Sequence, residues 1–365
     1  MDEYSWASSV GHVRILELGF LTNSDLLKVA ESEDLRSAIS YLRDTSYGKH
    51  LESLTNPEEF AAALEQALEE QYRYVLSFCP DAAVILCFLS RYDFHNLKVL
   101  AKERLLGIPA EPGAVSSLSV VPFPDLKAVL EQTKNGSTVS SGSLPKVRPR
   151  YASGRGLAGD VNSFLEIDLI PALEGSFEKA HREALEGGGP FGVDSVIDRE
   201  WMSWQLRYYR RHGYESLAAI AGTEADLTNL RIVIRTLYHG LDSSMLKKIL
   251  LPGGAVSAED IAGAYKASPE RLANVYAGTR WETLAKSGLG KVQGREPLTE
   301  WEKACEDSLV EFYRAVRTRS LGPEPVLGFL YGKEVEVKNL RIILSGKQSQ
   351  APRERIVARI RRSYA

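Results

Sequence analysis

The sequence predicts an all-α protein. Apolar residues recur at helical spacing along most of the 365-residue chain, strand patterns are sparse, and one short helical motif occurs three times. The length allows two or three domains. Apolar residues make up 44% and charged residues 25%, as in ordinary folded proteins. A chain of this size can bury a large core without disulfides or structural metals.

The first third of the chain contains several helix starts. Thr22 precedes the apolar pair Leu26-Leu27 and can cap a helix, with Asp25 three residues further on. Leu35, Ile39 and Leu42 suit one face of a further short helix. Asn56 is a cap candidate for a helix over Pro57–Phe78, because Pro57 fits the first turn and two glutamates follow it.

The rest of the chain continues this pattern. One long helix is predicted over Val161–Glu186, interrupted at Pro171, and further helices contain Trp201–Tyr209 and Glu302–Val316. The aromatic residues that begin at Trp201 have the helical spacing of core residues. Glu334–Lys338 alternates briefly and is a weak strand signal.

Two segments stand apart from these helices. Lys134–Gly159 is rich in Gly, Ser and Pro and predicts a connection between units. Arg353–Arg362 has five arginines and an apolar stripe. It is typical of a solvated amphipathic helix, and contact with acidic partner surfaces or lipid head groups is the alternative.

Charge and hydropathy exclude several functions. The formal net charge is −3, which gives no support to nucleic-acid binding, since that usually needs a basic stripe. The longest apolar run is Ala82–Leu89, too short to cross a bilayer, so we expect no direct membrane span. Three scattered cysteines, Cys79, Cys87 and Cys305, form no disulfide or zinc pattern, which favours a reducing, cytoplasmic compartment.

An internal repeat is the most informative feature of the sequence. An acid is followed three residues later by Asn-Leu, then by a base and apolar residues. The motif residues are Asp93, Asn96 and Lys98 in the first copy, Asp226, Asn229 and Arg231 in the second, and Glu336, Asn339 and Arg341 in the third. The first two copies precede identical four-residue turns, Gly113–Ser116 and Gly254–Ser257. Three copies in one order indicate triplication.

The residue types of the motif point to packing. The acid can cap or charge a helix N-terminus, the asparagine can bond a neighbouring backbone group, and the base can pair with an acid on a packed helix. Packing solutions are copied with every repeat, whereas catalytic sites seldom are. We therefore expect these nine residues to be structural, with no catalytic, cofactor-binding or metal-binding residue among them.

With its three helical motifs, the chain resembles the C subunit of the V-type and A-type ATPases (ATP synthases), the family related to the d subunit of eukaryotic V-ATPases. The segments Tyr41–Gly48 and Arg91–Lys98 strengthen the resemblance. It covers the whole chain in length and module order. The sequence departs from the family pattern at the insert from Asn135 to Gly142, and Glu336 stands where the other copies have Asp.

The resemblance implies three similar helical modules in a pseudo-threefold, funnel-like arrangement. The expected modules are residues 1–107, 108–240, with the connection near 134–159, and 241–365. It also implies a non-catalytic central-rotor subunit, present as a single copy and peripheral on the cytoplasmic side of the membrane. Such a subunit links the central-shaft subunits to the membrane rotor ring and transmits torque for ATP-coupled proton or sodium transport. It needs no cofactor.

Two alternatives come from other classes of protein. Gly154–Gly159 matches the dinucleotide fingerprint G-x-G-x-x-G, so the chain could be an α-helical nucleotide-binding enzyme. The fingerprint lacks its preceding strand, however, and no Gly-Lys pair is followed by Ser or Thr as in a Walker A motif. A free-standing helical scaffold fits the composition equally well.

Overall fold

The structure is a computed structural model. It describes residues 3–111, 113–133, 149–151, 158–242 and 246–365. Within these ranges the chain forms helices, turns and loops and no strand. The predicted all-α class is confirmed. The Gly154 loop, up to Leu157, and most of the predicted Lys134–Gly159 connection lie outside the described residues.

The helices follow one another with short connections. As far as Glu183 the α-helices are α1 (Ala7–Glu17), α2 (Asn23–Glu31), α3 (Leu35–Tyr41), α4 (Gly48–Leu51), α5 (Phe60–Phe78), α6 (Ala82–Leu89), α7 (Arg91–Leu106), α8 (Phe123–Thr133), α9 (Ala158–Ser163) and α10 (Ile170–Glu183). From Gly189 they are α11 (Gly189–Arg211), α12 (Glu215–Tyr238), α13 (Leu246–Ile249), α14 (Ala258–Ala267), α15 (Pro269–Val275), α16 (Glu282–Gly294), α17 (Thr299–Val316), α18 (Glu324–Gln348) and α19 (Arg353–Val357).

Short 3₁₀ and π segments join some of these helices. The 3₁₀ turns are Glu3–Trp6 and Pro57–Glu59, and the π segments are Phe164–Leu169 and Ala184–Gly188. The long helix predicted over Val161–Glu186 is therefore present, but its hydrogen-bond pattern changes on both sides of α10. Pro171 has no backbone N–H to donate, which explains why regular α-helical bonding is interrupted just before it.

The chain forms two compact units. Unit 1 contains the residues up to Pro80 together with Glu302–Ala365, and unit 2 contains Asp81–Trp301. The three-module division at residues 107 and 240 stays a prediction.

Helix α18 is the centre of unit 1. Helices α1, α2, α3, α5 and α19 all pack against it. Near its N-terminal end, Phe329 meets Phe20, with ring centroids 5.4 Å apart, and Phe20 meets Tyr364 at 5.0 Å. Because helices surround most of α18, the consecutive residues 335–337 are all buried. The alternation at Glu334–Lys338 is therefore not the inside–outside pattern of a strand, and the weak strand signal there is wrong.

Unit 2 is built around α7, α10, α11 and α12, with α11 packed against the other three. Its aromatic core joins Phe94, Phe164, Trp204 and Tyr208, with ring centroids 5.4–6.0 Å apart for the contacting pairs of Phe164 and Trp204. Of the aromatic residues predicted as core on α11, Trp204, Tyr208 and Tyr209 are buried and confirmed as core, whereas Trp201 is half-buried.

Two helix caps predicted from the sequence are present in the structure. Thr22 and Asp25 form a reciprocal capping box at the start of α2, and the Asn56 side chain accepts from the Glu58 N–H.

The prediction for the C-terminal segment is wrong in part, because α19 ends at Val357. Beyond it, Arg361 and Arg362 form ion pairs with Glu306 and Glu311 of unit 1. The predicted amphipathic helix is therefore shorter than the run of arginines. With Arg353, which pairs with Glu31, three of those arginines are engaged within the unit.

The capping box yields the first prediction. Thr22→Ala removes the acceptor for the Asp25 N–H and should lower the free energy of unfolding by about 1 kcal/mol. The matched control is Ser24→Ala, two residues along the same exposed turn, which should have little effect. Urea unfolding of the full chain measures both variants, and equal losses would contradict the capping assignment.

Candidate functional site

The nine residues of the repeated motif lie on three helices, α7, α12 and α18. On each helix the acid and the asparagine are buried. The buried residues are Asp93 and Asn96 on α7, Asp226 and Asn229 on α12, and Glu336 and Asn339 on α18. Burying six polar groups without partners would be costly. Their hydrogen bonds therefore define what the motif does.

Each asparagine holds one residue of a separate backbone segment at two points. The Asn96 amide donates to the Ser116 carbonyl at 3.0 Å and accepts from the Ser116 N–H at 2.8 Å, across 20 residues. Asn229 makes the same pair of bonds to Leu251, at 2.9 and 2.7 Å, across 22 residues.

The third asparagine repeats this geometry. Asn339 donates to the Arg361 carbonyl at 3.0 Å and accepts from the Arg361 N–H at 2.8 Å, again across 22 residues. A carboxamide is suited to this task because it carries a donor and an acceptor side by side. We call each such arrangement, the asparagine with its paired residue, an amide clamp.

The acids of the first two copies bind consecutive backbone N–H groups. Asp93 accepts from Val120 at 3.0 Å and from Val121 at 2.7 Å. Asp226 accepts from Ala255 at 2.9 Å and from Val256 at 3.0 Å. We call these contacts carboxylate clamps. Asp93 lies in the first turn of α7, where an acid is expected, whereas Asp226 lies in the middle of α12, and neither carboxylate caps its own helix.

The segments held by the carboxylate clamps lead directly into helices. Pro122 and α8 follow Val121, and Ser257, which caps α14, follows Val256. The close approach in the second copy needs glycine, because a Cβ atom on Gly254 would overlap the Asp226 Oδ1 atom.

The third acid binds an early segment of the chain. Glu336 accepts from the Leu21 N–H at 2.5 Å, and Leu21 precedes Thr22, the cap of α2. It also accepts from the Tyr47 hydroxyl at 2.6 Å and from Lys333 at 2.8 Å. The side chain of Lys333 is 3% exposed, so this is a buried ion pair. The longer glutamate thus binds a segment 315 residues earlier in the chain.

Units 1 and 2 share a second local feature near the clamps. Thr45 precedes Tyr47 in unit 1 as Thr279 precedes Trp281 in unit 2, and both threonine hydroxyls accept a backbone N–H at 3.2 Å from that aromatic residue. Tyr47 then reaches Glu336 on α18, while the Trp281 indole donates to the backbone carbonyl of residue 223 on α12. Both aromatic residues therefore tie the start of the helix that follows them, α4 or α16, to the helix that carries the clamps.

The bases of the motif are less uniform. Lys98 forms an ion pair with Asp198 on α11, and Arg341 lies 3.8 Å from Glu65 on α5. Arg231 is half-buried on α12. Half-exposed pairs of this kind contribute little to stability.

Several clamp partners cannot be recognised from the motif. The three residues held by the asparagines, Ser116, Leu251 and Arg361, share no residue type. The roles of Lys333 and Tyr47 at Glu336 are not repeated at the two aspartates. The two identical turns are also not equivalent: Asn96 holds Ser116, the last residue of the first turn, whereas Asn229 holds Leu251, which precedes the second turn.

The arrangement is structural in its chemistry. Every carboxylate of the motif is engaged by backbone N–H donors, which leaves it poorly placed to act as a base or ligand. Among the described residues, no group of three or more His, Cys, Asp or Glu side chains could hold a metal ion. Within the same residues, no helix has the length and apolar character needed to span a bilayer.

Comparisons with known proteins match almost the whole chain to one family of proteins. The ATP synthase (C/AC39) subunit family matches residues 9–359. The C subunit of the V-type sodium ATPase of Enterococcus hirae is 22% identical over 96% of this chain and 97% of its own length. The C subunit of the A-type ATP synthase of Methanocaldococcus jannaschii is 23% identical, over 95% and 84% respectively.

The amide clamp gives a direct stability prediction. Asn229→Leu keeps the size of the side chain but leaves the buried Leu251 N–H and carbonyl without partners, which should cost about 2–5 kcal/mol. Denaturant unfolding measures the loss. The control is Asn274→Leu on the exposed face of α15, which should change stability by much less, and similar losses for the two variants would contradict the clamp.

The first carboxylate clamp gives a pH prediction. Burial raises the pKa of the Asp93 carboxyl from 3.8 to about 7, although the two backbone donors act in the opposite direction. Between pH of about 4 and 7 the folded protein therefore holds a proton that the unfolded chain has lost. The stability contributed by this group rises as the pH falls through about 7.

Asp93→Asn removes this titration, so the wild type should exceed the variant in unfolding free energy by more at pH 5 than at pH 8. The matched control is Asp25→Asn. The hydrogen bonds from Thr22 lower the pKa of Asp25, so it stays ionised over that whole range and its difference should not change. A pH-independent difference for Asp93 would contradict the assignment.

Proposed function

The chain belongs to the ATP synthase (C/AC39) subunit family, and on that premise we propose that it is a non-catalytic central-rotor subunit of a V/A-type ATPase. In this role it joins the central-shaft subunits to the membrane rotor ring and transmits torque for ATP-coupled ion transport. Its position is peripheral, on the cytoplasmic side of the membrane, with one copy in each complex. The observation that carries the proposal is the family match over residues 9–359.

The buried polar groups support this proposal. Torque transmission requires a body that keeps its shape under load, and hydrogen bonds from a helix to distant backbone segments resist their separation. Asn229 and Asp226 do this within unit 2, and Asn339 and Glu336 within unit 1. Interiors packed in this way have low compressibility.

The repeated clamps also support three similar modules. The last long helix of each module holds the entry to another helix: α7 holds the entry to α8, α12 the entry to α14, and α18 the entry to α2. We propose that the chain evolved by triplication of one such helical module. The division near residues 107 and 240 is part of that proposal.

The ion that the complex moves is left open by this chain. One relative is named a sodium ATPase subunit and the other an ATP synthase subunit. Both names describe subunits of larger complexes. The function proposed for this chain is therefore the mechanical one.

The test is reconstitution of the complex with and without this chain. With the full chain, shaft and ring subunits should co-purify in one assembly, and ATP hydrolysis should drive ion uptake into vesicles. Without it, uptake per ATP hydrolysed should fall severalfold or more, because the shaft no longer turns the ring.

A matched pair of variants sharpens this test. An assembled complex containing Asn229→Leu should show lower uptake per ATP than one containing Asn274→Leu, since only the first weakens a clamp. Full ion uptake in the absence of the chain would contradict the proposed function, as would failure of the chain to associate with both shaft and ring.

A further inference from the structure

A surface cavity in unit 2 has a composition that the clamps do not explain. It has a volume of about 580 Å³ and lies between the π segment Phe164–Leu169, the start of α10 and the last turns of α11. That volume is within the usual range for small-molecule sites. Single-turn π segments within helices are frequent at functional sites.

The walls of the cavity are held in place by two contacts. The buried Trp204 indole on α11 donates to the Asp168 carbonyl at 3.2 Å, which ties α11 to the π segment. The Asp168 carboxylate forms an ion pair with Arg211. Ile167 and Pro171 contribute apolar surface to the lining.

The charge of the cavity is unbalanced. Three arginines, Arg207, Arg210 and Arg211, line it together with one carboxylate, that of Asp168. Arg211 is paired with Asp168. Arg207 and Arg210 lie three residues apart on the exposed side of α11, and within the described part of the chain neither side chain has a hydrogen bond or an ion pair.

These features select the chemistry of a ligand. Three guanidinium groups and one carboxylate give the cavity a net charge of +2. A dianion matches this charge, and a phosphate monoester carries between about −1.5 and −2 charges at pH 7. Guanidinium groups bind phosphate oxygens in a bidentate manner, which a second arginine can reinforce. The apolar lining and the contacting rings of Trp204 and Tyr208 suit the organic part of such a ligand.

We propose that this cavity binds the phosphate group of an organic phosphate monoester, with Arg207 and Arg210 as the direct phosphate ligands. Arg211 positions the site by fixing Asp168 at its edge. Two sources share this chemistry, a free nucleotide and the head group of an anionic phospholipid, and the apolar lining accepts the body of either. The site is independent of the clamps and of the rotor function.

The test uses the full chain and two probes. The first arm titrates AMP into the protein by calorimetry, and the second measures sedimentation with vesicles of phosphatidic acid in phosphatidylcholine, against phosphatidylcholine alone. The double variant Arg207→Gln/Arg210→Gln should weaken binding at least tenfold. Arg182→Gln, an exposed arginine on α10 that does not line the cavity, should leave binding unchanged.

Both altered arginines are exposed, so the variant should unfold at the same denaturant concentration as the wild type. AMP binding that depends on the two arginines supports the proposal with a free source, and vesicle binding that depends on them supports it with a membrane source. Absence of binding in both arms overturns the proposal, and so does binding that the double variant leaves intact.

Discussion

The fold depends on buried carboxylate and amide side chains that have to be satisfied by backbone groups far along the chain. Asp226 and Asn229 are both inside unit 2, where an unpaired polar group would cost several kcal/mol. Their partners are Leu251, Ala255 and Val256, and the resulting bonds fix where the chain returns after α12. A non-helical segment thereby acquires a defined position against a helix.

The same constraint takes a different form in the third copy. Asn339 holds a later segment at Arg361, as the other asparagines do, but Glu336 binds Leu21 from the first part of the chain. This bond brings the entry to α2 and α18 into one compact unit. The longer side chain and the buried partner Lys333 distinguish this site from the two aspartate sites.

Local features of this fold could be predicted because they depend on neighbouring residues, whereas long-range contacts could not. The Thr22 capping box and the Asn56 cap follow from side chains that act within one or two turns. The motif positions could also be found, because their spacing recurs along the chain. What they bind could not be predicted from spacing, since Leu251 and Ser116 are held through their backbone atoms and share no side-chain signal. Two predictions from local patterns were wrong because contacts from other helices decide the structure there. Residues 335–337 alternate in type as in a strand but are all buried in a helix, and ion pairs with α17 hold the last arginines in a non-helical segment.

The most direct measurement is native-state hydrogen exchange of the clamped amides, read by NMR or by mass spectrometry with overlapping fragments. Leu251, Ala255 and Val256 lie outside the helices, yet we predict that their amides exchange as slowly as those in the middle of α12, because Asn229 and Asp226 bind them in the interior. Exchange of these three amides at the rate of exposed loops, while α12 stays protected, would contradict the central role of the clamps.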